Sequence, residues 1–381
     1  VLYLLNKATL QLINIIMIQE LPITVRRSIE ILGICALGAL LILGQDIFMP
    51  LLMAFFISLL LLPLFRFFRR FKVPEVPAIV LCIVLFILII AGVGFFISWQ
   101  IGGFVSDMDK IKENLTLHWN NLSSWISSKM HFTAEQQIEM LRKQGLKAGD
   151  NATGYLQGAF VSLSGVLIFV GLIPIYIFLL IFYRNLLVRF VFYWFKETQH
   201  DKVEAVLRET ESIVKFYLFG LMIQIGYMTI LVGGILMIIG IKHALLIGII
   251  FAILNLIPYV GALIGNLIGV VLTLTTSQEL WQVAAVLIVI AVVQFLDNNI
   301  LMPRIVGSRV KVNALASIVG IVIGGAIAGV SGMFLSIPIM AVLKLIFDKS
   351  GNLRQWGILL GDERPALNPL TNRVFRIRKR S

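Results

Sequence analysis

Charge is scarce in this chain: of 381 residues, only 14% are Asp, Glu, Lys or Arg. A soluble protein of that length would form two or three domains with roughly a quarter of its residues charged. Cysteine is scarcer still. Cys35 and Cys82 both lie inside apolar runs, which leaves no disulfide framework and reads as two small buried hydrophobes. The four histidines, His118, His131, His200 and His243, are scattered. None falls in the His-Glu-x-x-His or Cys–His spacing that holds zinc, so no metal site and no cofactor are expected. The chain lacks the Gly-x-x-x-x-Gly-Lys-Ser/Thr phosphate loop and the Gly-x-Ser-x-Gly nucleophile elbow. It also lacks an arginine-rich voltage sensor and a Thr-Val-Gly-Tyr-Gly filter. An enzyme is not expected.

What is present is apolar. Hydrophobic residues make up 59% of the chain and the mean hydropathy is +0.95. Runs of about 18 or more apolar residues recur, which predicts an all-α polytopic membrane protein. The net charge of +12 sits in short connections and in the tail 373–380 (RVFRIRKR). That distribution suits topology-setting by cytoplasmic Lys and Arg and contact with anionic lipid; no nucleic-acid partner is expected.

In chain order, residues 1–25 read as an interfacial or disordered leader. Residues 26–99 hold three spans, at about 29–44, 47–65 and 78–99. Residues 100–157 form an extramembrane helical insert. Within it, 107–130 is amphipathic, and Thr133 with Gln136 resembles a capping box opening a second short helix. A transport core over 158–348 begins with a fourth span at 159–183, where Pro174 is the expected kink. A charged helix over 184–212 follows, carrying the i,i+4 pairs Glu204–Arg208 and Glu211–Lys215, and then a fifth span at 213–240. A basic tail over 349–381 ends the chain.

The segment 244–276 breaks at 259–261 into two arms of about 15 residues, roughly 22 Å each, short of the roughly 30 Å hydrocarbon core. The segment 312–347 breaks in the same way around 329–332. Both are expected to be broken hairpins that return to their own side, giving about eight hydrophobic segments: six full spans plus two hairpins. With the basic loops inside, both termini are cytoplasmic and the hairpins enter from opposite sides, the arrangement of inverted-repeat transporters.

The polar stretch QFLDNNILMPRIVG (294–307) closes an apolar run. An acid near the bilayer centre costs roughly 2.5–3.5 kcal/mol and so faces protein or water. On a helix Gln294, Asp297 and Asn298 share one face, and Pro303 frees the carbonyl of Asn299. The candidate pathway is therefore Asp297, Gln294, Asn298, Asn299 and Arg304, with Asn255 and Asn266 near the first break, Asn313 at the start of the second hairpin, and Gln224 on the fifth span. Tyr227, three residues after Gln224, extends that polar path. A simpler reading makes 297–304 a helix end with Arg304 as the partner of Asp297. Candidate hinges are Pro258, Gly261, Gly265, Gly269 and Pro303, then Gly324, Gly325, Gly329, Gly332 and Pro338. A stripe of glycines four apart also serves plain helix packing, or contact with a second copy of the chain.

These residues carry a resemblance. NLIPYVGALIG (255–265) is similar to the Ile-Pro-Tyr-x-Gly-x-x-x-Gly signature of the autoinducer-2 exporter family. Gln294–Gly307 resembles its Gln-x-x-(Asp/Glu)-Asn-x-x-x-x-Pro-x-x-x-Gly stretch, and Val319–Pro338 its glycine-rich block. The likeness extends over about 26–348. It implies a bacterial inner-membrane permease exporting a small polar metabolite such as autoinducer-2, or exchanging a monovalent cation for protons. One departure is Asn313-Ala314, where many relatives have His-Pro. From a different class, a passive pore or an oligomeric scaffold would also use the glycine stripes.

Overall fold

In a computed structural model, residues 22–130, 171–257, 259–305, 312–350 and 353–362 are described. Residues 1–21 of the expected 1–25 leader, the short helix at Thr133, Pro258, the start of the fourth span and the tail beyond 362 lie outside them; residues 23–25 of that leader are helical. Among the described residues the fold is helical, with one isolated β-bridge between Val312 and Gly361. The helices are α1 (Ile23–Leu43), α2 (Gln45–Arg70), α3 (Glu75–Ser106) and α4 (Met108–Met130). Next come α5 (Gly171–Phe182), α6 (Arg184–Tyr193), α7 (His200–Ile239), α8 (Ala244–Leu254) and α9 (Val260–Thr276). Last are α10 (Leu280–Leu296), a π-helical turn (Asp297–Leu301), α11 (Met302–Ile305), α12 (Ala314–Lys349) and α13 (Arg354–Leu360).

The chain divides into two compact units at Pro50. The first holds α1 and the opening turn of α2. Arg26, Arg27 and Glu30 leave only 31–43 of α1 uninterrupted, about 20 Å of helix. Cys35 is exposed on α1, so the expectation of two buried cysteines holds only for Cys82.

In the second unit, α2, α3 and α5 bury Ala54, Leu61, Ile79, Cys82, Ile177 and Ile181 against one another. A second core joins α7, α8 and α10 through Met228, Val232, Ile247, Phe251, Val286 and Ile290. Large apolar side chains cover the outside of α3, among them Val80, Val84, Leu88, Ile90 and Phe95. An apolar exterior this long is a lipid-facing surface. By length and apolarity, five helices among the described residues could cross a membrane, or six if the bent pair α5–α6 is one span; one of the five, α12, is broken at Ala328–Gly329.

Three expected boundaries move. The third span runs on to Ser106, because Glu75 and Pro74 start it early and the residues after Trp99 stay largely apolar. The charged connection divides: its first part is α6, and from His200 on it fuses with the fifth span into one 40-residue helix, α7. α5 is helical through Pro174, and a bend of 65° falls between Phe182 and Arg184, at the end of the expected fourth span. There Arg184 turns back to pair with Glu75 at 3.0 Å and to stack over Phe65.

Ion pairs define one end of the second unit. Arg66 of α2 meets Glu211 of α7 at 2.9 Å, Arg184 meets Glu75, and Lys349 of α12 meets Glu209 of α7 at 3.4 Å. At the other end Asp107, just past α3, bonds Lys242 at 2.5 Å and His243 at 3.0 Å. Close by, Asn114 and His118 of α4 reach the carbonyls of Thr275 and Ser277.

Both broken segments are hairpins. In the first, α8 and α9 run antiparallel. A Cβ on Gly261 would overlap the Leu254 carbonyl, one on Gly265 would lie 2.6 Å from the Phe251 ring, and one on Gly269 would reach Ile247. Its two feet, His243 and Ser277, are held at the Asp107 end. The second lies inside α12, where Ala328 (φ −147°) and Gly329 (φ 57°, ψ −139°) leave helical geometry. Gly320 faces Met340, Gly324 faces Gly332, and Gly325 faces Met333. A straight helix would separate residues 320 and 340 by about 30 Å, so α12 must fold back on itself. Its feet are Asn313 and Lys349, at the ion-pair end.

Candidate functional site

The site is built on α7 and α10. Along the buried face of α7, Tyr217, Leu221, Gln224 and Met228 follow one another at helical spacing. Gln224 lies about 20 Å of helix from the Glu211 ion pair and about 24 Å from Gly240. It therefore stands midway between the two polar ends.

On the facing element, α10 does not end as a regular helix. Pro303 has no N–H to donate and would crowd the carbonyl of Asn299. The chain answers by widening: the Met302 N–H bonds the Asp297 carbonyl, five residues back, and 297–301 becomes a π turn. Such turns rotate the side chains that follow. Asp297 opens that turn and continues the buried face of α10 after Val286, Ile290 and Val293, so it faces inward and is 1% exposed.

There its carboxylate accepts two hydrogen bonds from α7. The Gln224 amide donates to Oδ2 at 2.8 Å, and the Tyr227 hydroxyl donates to Oδ1. No ion pair to Asp297 exists among the described residues, and Arg304 points outward, exposed. Arg304 is therefore not the partner that a simple helix end would need. Gln224 leaves its Oε1 buried and without a partner, as does Gln294; the Tyr217 hydroxyl is in the same state. A buried carboxylate with no counter-ion and orphaned acceptors beside it is a costly arrangement in a lipid-embedded protein.

The structure separates the other expected residues. Gln294 donates to Asn298 at 3.3 Å, and Asn298 and Asn299 are exposed. Asn299 donates to the carbonyl of Phe295 in its own helix. The shared face of Gln294, Asp297 and Asn298 thus splits at the π turn. Asn255 is buried at the first break, while Asn266 donates to Ala262 in its own helix. Asn313 is a helix cap: its Oδ1 accepts from Ala316 N–H, and its Nδ2 donates to the carbonyls of Leu359 and Gly361. Nothing joins it to Asp297.

Of the hinge residues, Gly261, Gly265 and Gly269 serve close packing of α9 on α8 and α10. Gly324, Gly325 and Gly332 let the arms of the second hairpin meet, and Gly329 makes its turn. Pro338 lies buried within the second arm, which continues through it to Lys349.

Leu221 and Ile225, which flank Gln224 along α7, line an apolar cavity of about 170 Å³. Leu256 of the first hairpin's tip and Phe334 and Leu335 of the second share its wall. Two features were not anticipated from sequence. Tyr217 sits two turns before Gln224 on one face, a spacing that was readable. The Asp107–Lys242–His243 cluster joins loops too far apart in sequence to leave a local signal.

Comparisons with known proteins agree with this architecture. A family model described as AI-2E family transporter matches residues 31–351. Among full-length relatives, each named "Putative transport protein", YrrI of Bacillus subtilis (strain 168) is 26% identical over 315 residues, covering 79% of this chain and 86% of the relative. YhhT of Escherichia coli (strain K12) is 23% identical over 323 residues, covering 84% and 90%. A shorter match, 36% over 108 residues, links the chain to YueF of Bacillus subtilis. The family model spans the opposed hairpins and the Asp297 turn alike, and the chain belongs to the AI-2E transporter family.

Proposed function

We propose that this protein is a secondary permease of the bacterial inner membrane that works by alternating access. The Asp297–Gln224–Tyr227 cluster is its binding site, and the two hairpins are its moving parts. One observation carries this reading: a buried carboxylate at mid-span, bonded only by neutral donors, beside a cavity shared by both hairpin tips. Such a group binds something that supplies hydrogen-bond donors or positive charge. The favoured cargo is a small polar metabolite such as autoinducer-2, whose hydroxyls would bond Asp297 and the free Oε1 of Gln224. Lys and Arg at the ion-pair end support a cytoplasmic position for that end.

A second cargo is supported by the same orphaned Gln224 Oε1. A carboxylate with a free amide oxygen beside it suits a monovalent cation, exchanged for protons. The test is flux into proteoliposomes, run with autoinducer-2 and with sodium under an imposed pH gradient. Asp297→Asn is expected to abolish flux while expression is unchanged. Normal flux in that variant overturns the assignment. Conductance without coupling to any gradient would favour a passive pore instead.

A further inference from the structure

A pocket of about 380 Å³ opens where α12 ends and α13 doubles back over it. Its wall carries Lys344, Lys349 and Arg354 against a single acid, Asp348. Lys344 and Asp348 bond one another across a helical turn. Lys349 is only loosely engaged, 3.4 Å from Glu209, with both side chains about half exposed. Arg354 is exposed and forms no ion pair among the described residues. The pocket is therefore cationic, with the guanidinium and one ammonium available.

The roof of this pocket is amphipathic. Gly357 of α13 is buried so tightly that a Cβ there would overlap the Asp348 carboxylate. Trp356, Ile358 and Leu359 of the same helix are exposed. The pocket also lies at the level of the ion pairs that cap α2, α3 and α7. Cations beside an exposed Trp at the end of a span are what the membrane–water boundary selects.

We propose that this pocket binds the headgroup of an anionic phospholipid. The phosphate bridges Lys349 and Arg354, and an acyl chain lies along Trp356 and Leu359. A free phosphate would use the same cations, but it would leave the apolar face of α13 against water. That face favours the lipid.

The test uses the full chain in neutral detergent, with thermal unfolding followed after adding phosphatidylglycerol, phosphatidylcholine or inorganic phosphate. Phosphatidylglycerol is expected to raise Tm by about 5 °C at saturating lipid, and phosphatidylcholine to leave it unchanged. The double variant Lys349→Gln/Arg354→Gln is expected to need about tenfold more phosphatidylglycerol for the same shift. Arg354→Gln alone, at an exposed and unpaired side chain, gives a partial loss without risk to folding. Lys110→Gln, at the opposite end, should respond as the native chain does. An equal shift with inorganic phosphate would overturn the lipid assignment. An undiminished response in both arginine variants would place the lipid elsewhere.

Discussion

Gly324 and Gly332 meet backbone to backbone, each so close that a Cβ on one would overlap the carbonyl of the other. Neither can take a side chain without parting the arms of the second hairpin. Gly324→Ala and Gly332→Ala are each expected to cost about 1–3 kcal/mol, read as a lower Tm in detergent. Gly329→Ala is expected to cost a similar amount for another reason. Space there is open, but φ 57° with ψ −139° is a glycine conformation. Gly234→Ala, with open space and no strained angle, is the control and should be near neutral.

Tyr227→Phe removes one of the two donors to Asp297 and keeps the ring. A hydrogen bond to a charged group is worth about 1.5–3 kcal/mol. Flux is therefore expected to fall by roughly 10- to 100-fold, with a lower Tm, because the same bond holds Asp297 to α7 in the resting fold. An unaltered rate in proteoliposomes would remove Tyr227 from the site.

The hairpin tips can be addressed from solution. In a chain with Cys35 and Cys82 replaced by Ala, Cys is placed at Tyr259 or Val330, both exposed. An impermeant maleimide is expected to reach the two positions from opposite sides of the membrane. Reaction of both from the same side would rule out opposed hairpins.

The clamp at the far end titrates. Its hydrogen bond to Lys242, then that to His243, holds the Asp107 carboxyl below the usual carboxylate range. A depressed carboxylate stabilises the fold above its ordinary pKa and loses that effect as pH falls through the lower, folded value. Proteolysis of the loop between α7 and α8 is therefore expected to be flat from neutral pH down to about 4 and to rise below it. Asp107→Asn should show the raised cleavage at every pH, measured as loss of the intact band.

Much of this was readable in one dimension. Short arms, interrupted by glycines at 261–269 and 324–332, forecast two hairpins, because no helix that short reaches across a bilayer. The charge distribution forecast their opposed entry, and the feet at His243 and Lys349 do lie at opposite ends. The expensive acid also stood out. Gln224 and Tyr227 stood out with it, as polar residues on an otherwise apolar span. Consecutive residues sit about 100° apart on a helix, so with Asp297 continuing the buried face of α10, Asn298 falls outside it. Gln224 and Tyr227, about 70 residues upstream, take the place expected of Asn298 and Asn299. The capping role of Asn313 was not legible, because a capping asparagine and a pathway asparagine look the same until the partners at Leu359 and Gly361 are seen.

The unbroken length of α7 has a mechanical meaning. Its 40 residues extend about 60 Å. One helix thus carries Glu209 and Glu211 at its charged end, Gln224 and Tyr227 at its middle, and Gly233 near the far end. At Gly233 the helix touches Gly248 of the first hairpin, close enough that a Cβ on Gly248 would sit 2.7 Å from its backbone nitrogen. This contact is flanked by Val232 and Leu236 of α7, packed with Ile247 and Phe251 of α8 in one core. Gln224 lies about 13.5 Å down the rod from it, so a tilt of about 10° would carry its amide about 2.4 Å. That is enough to part it from Asp297. If the first hairpin moves in transport as proposed, α7 carries that motion along its length, and release of the carboxylate belongs to the same step.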